Sequence, residues 1–129
     1  MSSVAKTRMT PEQYLVQERK AEYRSEFFRG ETFAMAGATR SHNLIAGNVF
    51  AKLHGQLDNR DCEVYQGDMR VKVSETGLYV YPDVVVACEQ PKFEDAELDT
   101  LLNPRVLVEV LSNTTEGYDR GTKWRHYQS

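Results

Sequence analysis

Apolar residues recur at two different periods along this chain, and the changes of period mark out helical and extended stretches. Thr10-Pro11-Glu12-Gln13 carries the signals of a helix start. Threonine accepts from first-turn amides, proline suits the first helical position, and Gln13 can close a capping box. A short helix is predicted over 11–20, with Tyr14, Leu15 and Val16 as a narrow docking face. Residues 1–9 show no period and read as a flexible tail. Two aromatic-rich runs, 23–28 and 32–35, flank Arg29-Gly30-Glu31 and predict a β-hairpin. Over 39–58, Leu44, Ile45, Val49, Leu53 and Leu57 fall at helical spacing and give the longest helix one apolar stripe.

From Cys62 onward the pattern becomes extended. Strands are predicted at 63–66, 69–73, 78–81, 83–88 and 105–111, with a turn at Ser74-Glu75-Thr76-Gly77. Val84-Val85-Val86 is a continuous β-branched run, which suits a central strand covered on both faces. The acidic stretch 89–103, with Pro91, reads as a surface loop, and 112–117 as another. Residues 118–127 read as the start of a helix, after which the sequence offers no stop signal. Strands mixed with helices pack as an α/β domain, and 10–129 is expected to form a single one.

Composition changes this picture little. Hydrophobic residues make up 40% and charged residues 27%, ordinary for a folded protein. The net charge of −3 argues against a protein that coats nucleic acid through a basic surface. It leaves room for an enzyme that acts on nucleic acid, because a bound cation and a few clustered Arg and Lys supply local positive charge. Cys62 and Cys88 lie in apolar runs outside any C-x-x-C arrangement and are expected as buried free thiols, which suits a cytoplasmic protein. No secretory signal is visible, and no run approaches the roughly 18 apolar residues of a membrane helix.

Two acids stand in costly places. Tyr81-Pro82-Asp83 leads into Val84-Val85-Val86, and Val106-Leu107-Val108 leads into Glu109 before Val110-Leu111. An ionised carboxylate in such surroundings needs a metal, a basic partner or a proton. The two acids are 26 residues apart, a separation that two strands and an intervening loop account for. On neighbouring strands both would project from one side of the sheet. With waters and a backbone carbonyl, for which Val110 is the candidate, they would suit Mg²⁺ or Mn²⁺. Asp83 as a turn-capping acid and Glu109 as half of a buried ion pair are the structural alternatives.

Pro82-Asp83 followed by Glu109-Val110-Leu111 resembles the PD-(D/E)xK signature of restriction-endonuclease-like enzymes. The chain as a whole resembles the Uma class of endonucleases, a domain of unknown function. The matching stretches are Ser25-Glu26-Phe27 with Gly30-Glu31, Ala34-Met35-Ala36-Gly37, Ser41-His42-Asn43, Gly67-Asp68-Met69-Arg70-Val71, Tyr81 to Val86, Leu102-Asn103-Pro104, Val108 to Ser112, and Tyr118-Asp119-Arg120 with Lys123. The resemblance implies a mixed central sheet flanked by helices and a metal-dependent endonuclease acting on DNA, expected as a cytoplasmic homodimer. Where the motif has its lysine this chain has Leu111, and the resemblance moves that role to Lys123. It also implies Glu26 as a third acid near the metal and His42 as a proton carrier or water anchor. An outward hairpin residue and a capping histidine are the respective alternatives. His54 and His126 read as ordinary helix residues, and Asp68 and Asp119 as structural. Arg29, Arg40, Arg70, Lys72, Arg120 and Arg125 are candidate phosphate contacts. Relatives continue beyond the Lys123 helix, so the domain is expected to be truncated at its C-terminus, with Trp124 and Tyr127 short of partners. A non-catalytic homodimeric module with this fold and a hydrolase of another phosphate ester are the rival readings.

Overall fold

Thr10 caps the first helix as its sequence predicts. Its side chain accepts from the Gln13 amide at 3.1 Å, and Gln13 Oε1 accepts from the Thr10 amide at 2.9 Å. The structure, a computed structural model, describes residues 8–35, 37–111 and 123–128. The capped helix, α1 (Pro11–Lys20), buries Tyr14 and Leu15 and leaves Val16 exposed. The expected hairpin follows as β1 (Ser25–Phe28) and β2 (Glu31–Ala34), paired antiparallel with Phe28 opposite Glu31. Arg29 (φ 50) and Gly30 (φ 84) form the two-residue turn, with both backbones left-handed as the twist of a tight hairpin demands.

The long helix α2 (Arg40–Leu57) starts at Thr39, whose side chain accepts from the His42 amide at 3.1 Å. Its apolar stripe is only partly covered: Leu44 and Ile45 remain 50% and 49% exposed. Next come β3 (Cys62–Gln66), β4 (Arg70–Val73), β5 (Leu78–Val80), β6 (Val84–Cys88), β7 (Thr100–Leu101) and β8 (Val106–Val108), then the short helix α3 (Trp124–Tyr127). Among the described residues the strands fall into two sheets. One is five-stranded and mixed, in the order β2-β1-β5-β4-β7, parallel only between β4 and β7. The other is antiparallel, in the order β3-β6-β8. α2 lies against β3 and β6. The α/β class expected from the sequence is the one observed.

The main core joins the two sheets. Val71, Leu78, Val80 and Leu101 from the larger sheet meet Val85 and Ala87 from the smaller. Val84, Val85, Val86 and Ala87 are all buried, so β6 is covered on both faces and sits in the middle of its sheet, as its unbroken apolar run predicts. Each fully buried valine or leucine contributes about 1.5–3 kcal/mol relative to exposure. A second cluster seats α1 on the hairpin sheet. Tyr14 stacks on Phe27 with ring centroids 4.6 Å apart, and Tyr79 closes the group at 5.2 Å from Tyr14.

Two expectations are corrected. The stretch read as a loop over 89–103 contains β7, whose Thr100 and Leu101 are buried and pair with Arg70 and Val71. Two residues are too few to show an alternation, so only the pairing reveals the strand. Cys62 and Cys88, expected as free thiols, are joined by a disulfide. The β3–β6 register sets them directly opposite each other, and local sequence does not encode that register. No helix among the described residues is long and apolar enough to cross a membrane. The expected loop at 112–117 and the helix start at 118–122, with Asp119 and Arg120, lie outside the described residues.

Candidate functional site

The antiparallel register of β6 on β8 pairs Val84 with Val108. Asp83 and Glu109 are the next residue on each side, so the two acids stand together where the ladder ends. The backbone ties them: the Val110 amide donates to Asp83 Oδ2 at 2.7 Å. Glu109 therefore lies one residue past β8 rather than inside it. Both carboxylates are largely but not fully covered, with side-chain exposures of 19% for Asp83 and 16% for Glu109. His42 reaches the same place from the first turn of α2, its Nε2 lying 3.3 Å from Asp83 Oδ1. His42 Nδ1 is buried with no hydrogen-bond partner among the described residues.

Lys123 joins the acids through Glu109. Its Nζ is 2.8 Å from Glu26 Oε2 and 3.3 Å from Glu109 Oε1. Glu26 and Lys123 are each only 4% exposed, so the hairpin acid points inward rather than to solvent. A buried lysine is tolerated here because two carboxylates offset the loss of its hydration. Sequence reasoning missed one neighbour. Tyr127, expected to lack partners, donates its hydroxyl to Glu109 Oε1 at 2.9 Å, and its ring packs on the main core. The four-residue spacing from Lys123, one helical turn, was the available signal. Trp124 stays exposed, as expected. His126 turns away from the acids: its Nδ1 lies 2.7 Å from Thr76 Oγ1, and burial, then the charge of Arg29, holds its pKa below the usual histidine range.

Asp83 and Glu109 offer oxygen donors only, the chemistry of a hard divalent cation rather than zinc. Among the described residues no group of three or more His, Cys, Asp or Glu side chains converges to hold a metal. Two carboxylates fit a cation of the Mg²⁺ type, which keeps several waters and completes its shell with substrate phosphate. Val110, whose carbonyl is the candidate backbone ligand, sits beside the acids with its amide donating to Asp83 Oδ2.

The candidate phosphate contacts separate by burial. Arg29, Arg40 and Arg125 are exposed, and Arg29 lies over the Phe28 ring at 5.0 Å. Lys72 is held by Glu94 at 3.2 Å, an acid that also accepts from the Tyr79 hydroxyl. Arg70 is withdrawn from any ligand. It is buried, with Nε on Thr100 Oγ1 at 2.9 Å, one terminal nitrogen on the Tyr81 hydroxyl at 2.8 Å and the other 3.0 Å from Asp99. The Tyr81 hydroxyl donates to Glu18 at 2.6 Å, and Arg19 grips Asp99 and Asp95 from the same helix. Burial first and the Glu18 bond second push the Tyr81 phenol up to about 12. The hydrogen bonds from Arg19, with the charge of Arg70, bring Asp99 down to about 2. This network pins α1 to β4, to β7 and to Tyr81 just past β5.

The Uma2 family model, described as "Putative restriction endonuclease", matches residues 11–129. Two uncharacterized proteins of Synechocystis are similar. One is 37% identical over 130 residues, which cover 100% of this chain and 73% of that protein. The other is 35% identical over 120 residues, covering 93% of this chain and 62% of that protein. The crystal structure of a putative nuclease belonging to DUF820 from Anabaena variabilis superposes with a TM-score of 0.71 at 15% identity, over 92% of this chain and 66% of that one. At that identity the likeness is one of fold. The chain thus spans about two thirds of the length of these proteins. A family match over nearly the whole sequence, with relatives well above 30% identity and a shared fold, has one reading: the chain belongs to the Uma2 family of restriction-endonuclease-like proteins.

Proposed function

We propose that the chain carries the active site of a divalent-metal-dependent endonuclease that hydrolyses DNA phosphodiester bonds. The observation that carries this reading is the junction of Asp83 and Glu109 at the abutting ends of β6 and β8, with Lys123 at 3.3 Å from Glu109. In this reading Asp83, Glu109 and the Val110 carbonyl hold Mg²⁺ or Mn²⁺. When bound, such a cation supplies Lewis-acid activation of water and neutralisation of phosphate charge. Lys123 lends its ammonium to the negative charge that develops on the attacked phosphate. Glu26 keeps that ammonium in place. His42 orients Asp83 and carries a proton between site and solvent. Arg29, Arg40 and Arg125 are exposed and free of the Arg70 network, and they hold the DNA backbone.

A homodimer is the proposed assembly, and the half-exposed Leu44 and Ile45 of α2 support it; light scattering tests it. The cytoplasm is the proposed location on the ground of the DNA substrate alone, because the Cys62–Cys88 bond removes the argument from free thiols. A non-catalytic module is the second reading. It is favoured by Lys123, whose charge is already matched by two carboxylates at 2.8 and 3.3 Å.

Plasmid cleavage in Mg²⁺ or Mn²⁺ separates the readings. The nuclease reading expects cutting by the wild-type protein that stops with EDTA and falls at least about a hundredfold in Asp83→Ala. Equal cutting by both proteins contradicts it. A folded protein that binds Mn²⁺ but cuts nothing supports the module.

A further inference from the structure

Tyr127 has no part in the sequence signature, yet its hydroxyl meets the same oxygen of Glu109 as Lys123 does. The phenol donates to Glu109 Oε1 at 2.9 Å, and Lys123 Nζ lies 3.3 Å from that atom. Lys123 is the N-cap of α3 and Tyr127 its last residue, so the two lie one helical turn apart and reach the acid from the same short segment. Glu109 lies just past the end of β8, where a donor with a firm anchor helps to orient its carboxylate. The Tyr127 ring can supply it. The ring packs against the cluster of Val71, Leu78, Val80, Val85, Ala87 and Leu101, so its hydroxyl is held by the core rather than by solvent.

We propose that Tyr127 is a positioning residue for the Glu109 carboxylate, setting the orientation in which that acid takes a divalent cation. The inference rests on the reading of Glu109 as a cation ligand. Hydrogen bonds to a ligating carboxylate fix its orientation, and their loss typically weakens metal binding about 10–100-fold. The competing explanation is a core tyrosine whose hydroxyl takes the nearest acceptor. The two differ in one respect: a core tyrosine has no bearing on metal affinity once its ring is preserved.

Calorimetric titration of Mn²⁺ into the intact protein, with melting curves recorded alongside, tests this. Tyr127→Phe keeps the ring and deletes only the donor. Tyr65→Phe is the control, since Tyr65 also packs on the core and donates to a carboxylate, that of Glu63, which is not a proposed cation ligand. Glu109→Gln tests the ligand itself. The expected result is Mn²⁺ binding by the wild-type protein, loss of it in Glu109→Gln, about tenfold weaker binding in Tyr127→Phe at an unchanged melting temperature, and wild-type affinity in Tyr65→Phe. If Tyr127→Phe binds within twofold of wild type while Glu109→Gln does not bind, the role of Tyr127 is overturned and the cation site stands. If the wild-type protein takes up no Mn²⁺, the cation site falls and the role of Tyr127 with it. Tyr127→Met fills similar space without a donor and answers the same question should the phenylalanine variant fail to fold.

Discussion

Arg70 shows how one residue can be spent on structure when its type suggests ligand binding. Its Nε and one terminal nitrogen donate to Thr100 and Tyr81, the other terminal nitrogen forms an ion pair with Asp99, and a buried guanidinium is stable only with such partners. Arg70→Met is expected to cost about 2–3 kcal/mol in denaturant unfolding, the scale of hydrogen bonds to a charged group. The neighbouring Asp99 gives a pH signature. Its folded pKa, about 2, lies below the ordinary 3.8, chiefly through Arg19. Its contribution is therefore complete above about pH 4 and is lost as pH falls through about 2. Since Asp99 is 38% exposed, solvent screens much of the effect. Asp99→Asn should flatten the loss of melting temperature between pH 4 and 2, and an unchanged slope would show that the pairing is energetically idle. None of this was readable beforehand. A lone arginine in Gly67-Asp68-Met69-Arg70 carries no sign of whether it faces solvent or a tyrosine eleven residues on. Glu26 is similar: alternation in a hairpin leaves its direction open, and its burial and its pairing with Lys123 show it.

Among the elements, legibility follows local information. α1 was predictable to its cap because its signals lie within four residues. The hairpin was predictable because Gly30 must take a positive φ, and β6 because its apolar run is unbroken. β7 was not, since its two residues become a strand only against β4. The apolar stripe of α2 was seen, but periodicity alone could not show how little of it would be covered. The two positive-φ glycines among the described residues give a graded test. A Cβ at Gly77 meets nothing within 4 Å, so Gly77→Ala carries backbone strain alone, about 1 kcal/mol. At Gly30 (φ +84) the added carbon would also lie 2.9 Å from Arg8 Cβ, so Gly30→Ala is expected to cost about 2–3 kcal/mol. The reverse order in chemical denaturation would mean that the hairpin turn relaxes freely. The Cys62–Cys88 bond spans 26 residues and ties the two longest strands of the smaller sheet together. Reductant is expected to lower unfolding free energy by about 2–4 kcal/mol. No change, with intact thiols by mass spectrometry beforehand, would show that the bond does not form in solution.

For the whole molecule, what matters is how distant segments meet. The smaller sheet brings residues 83 and 109 side by side, the hairpin contributes Glu26, α2 contributes His42, and α3 with its N-cap contributes Tyr127 and Lys123. The acid pair was legible because a charge flanked by valines is costly wherever it occurs. The lysine was found by resemblance, and the tyrosine was not found, because its partner lies 18 residues away on another element. The central claim is that this meeting point grips a divalent cation. A crystal soaked in Mn²⁺ and measured at an anomalous wavelength tests that claim most directly. The account predicts one strong peak about 2.0–2.3 Å from both a carboxylate oxygen of Asp83 and one of Glu109. A saturated soak with no peak there, or a peak that leaves either acid out of its coordination shell, would contradict it.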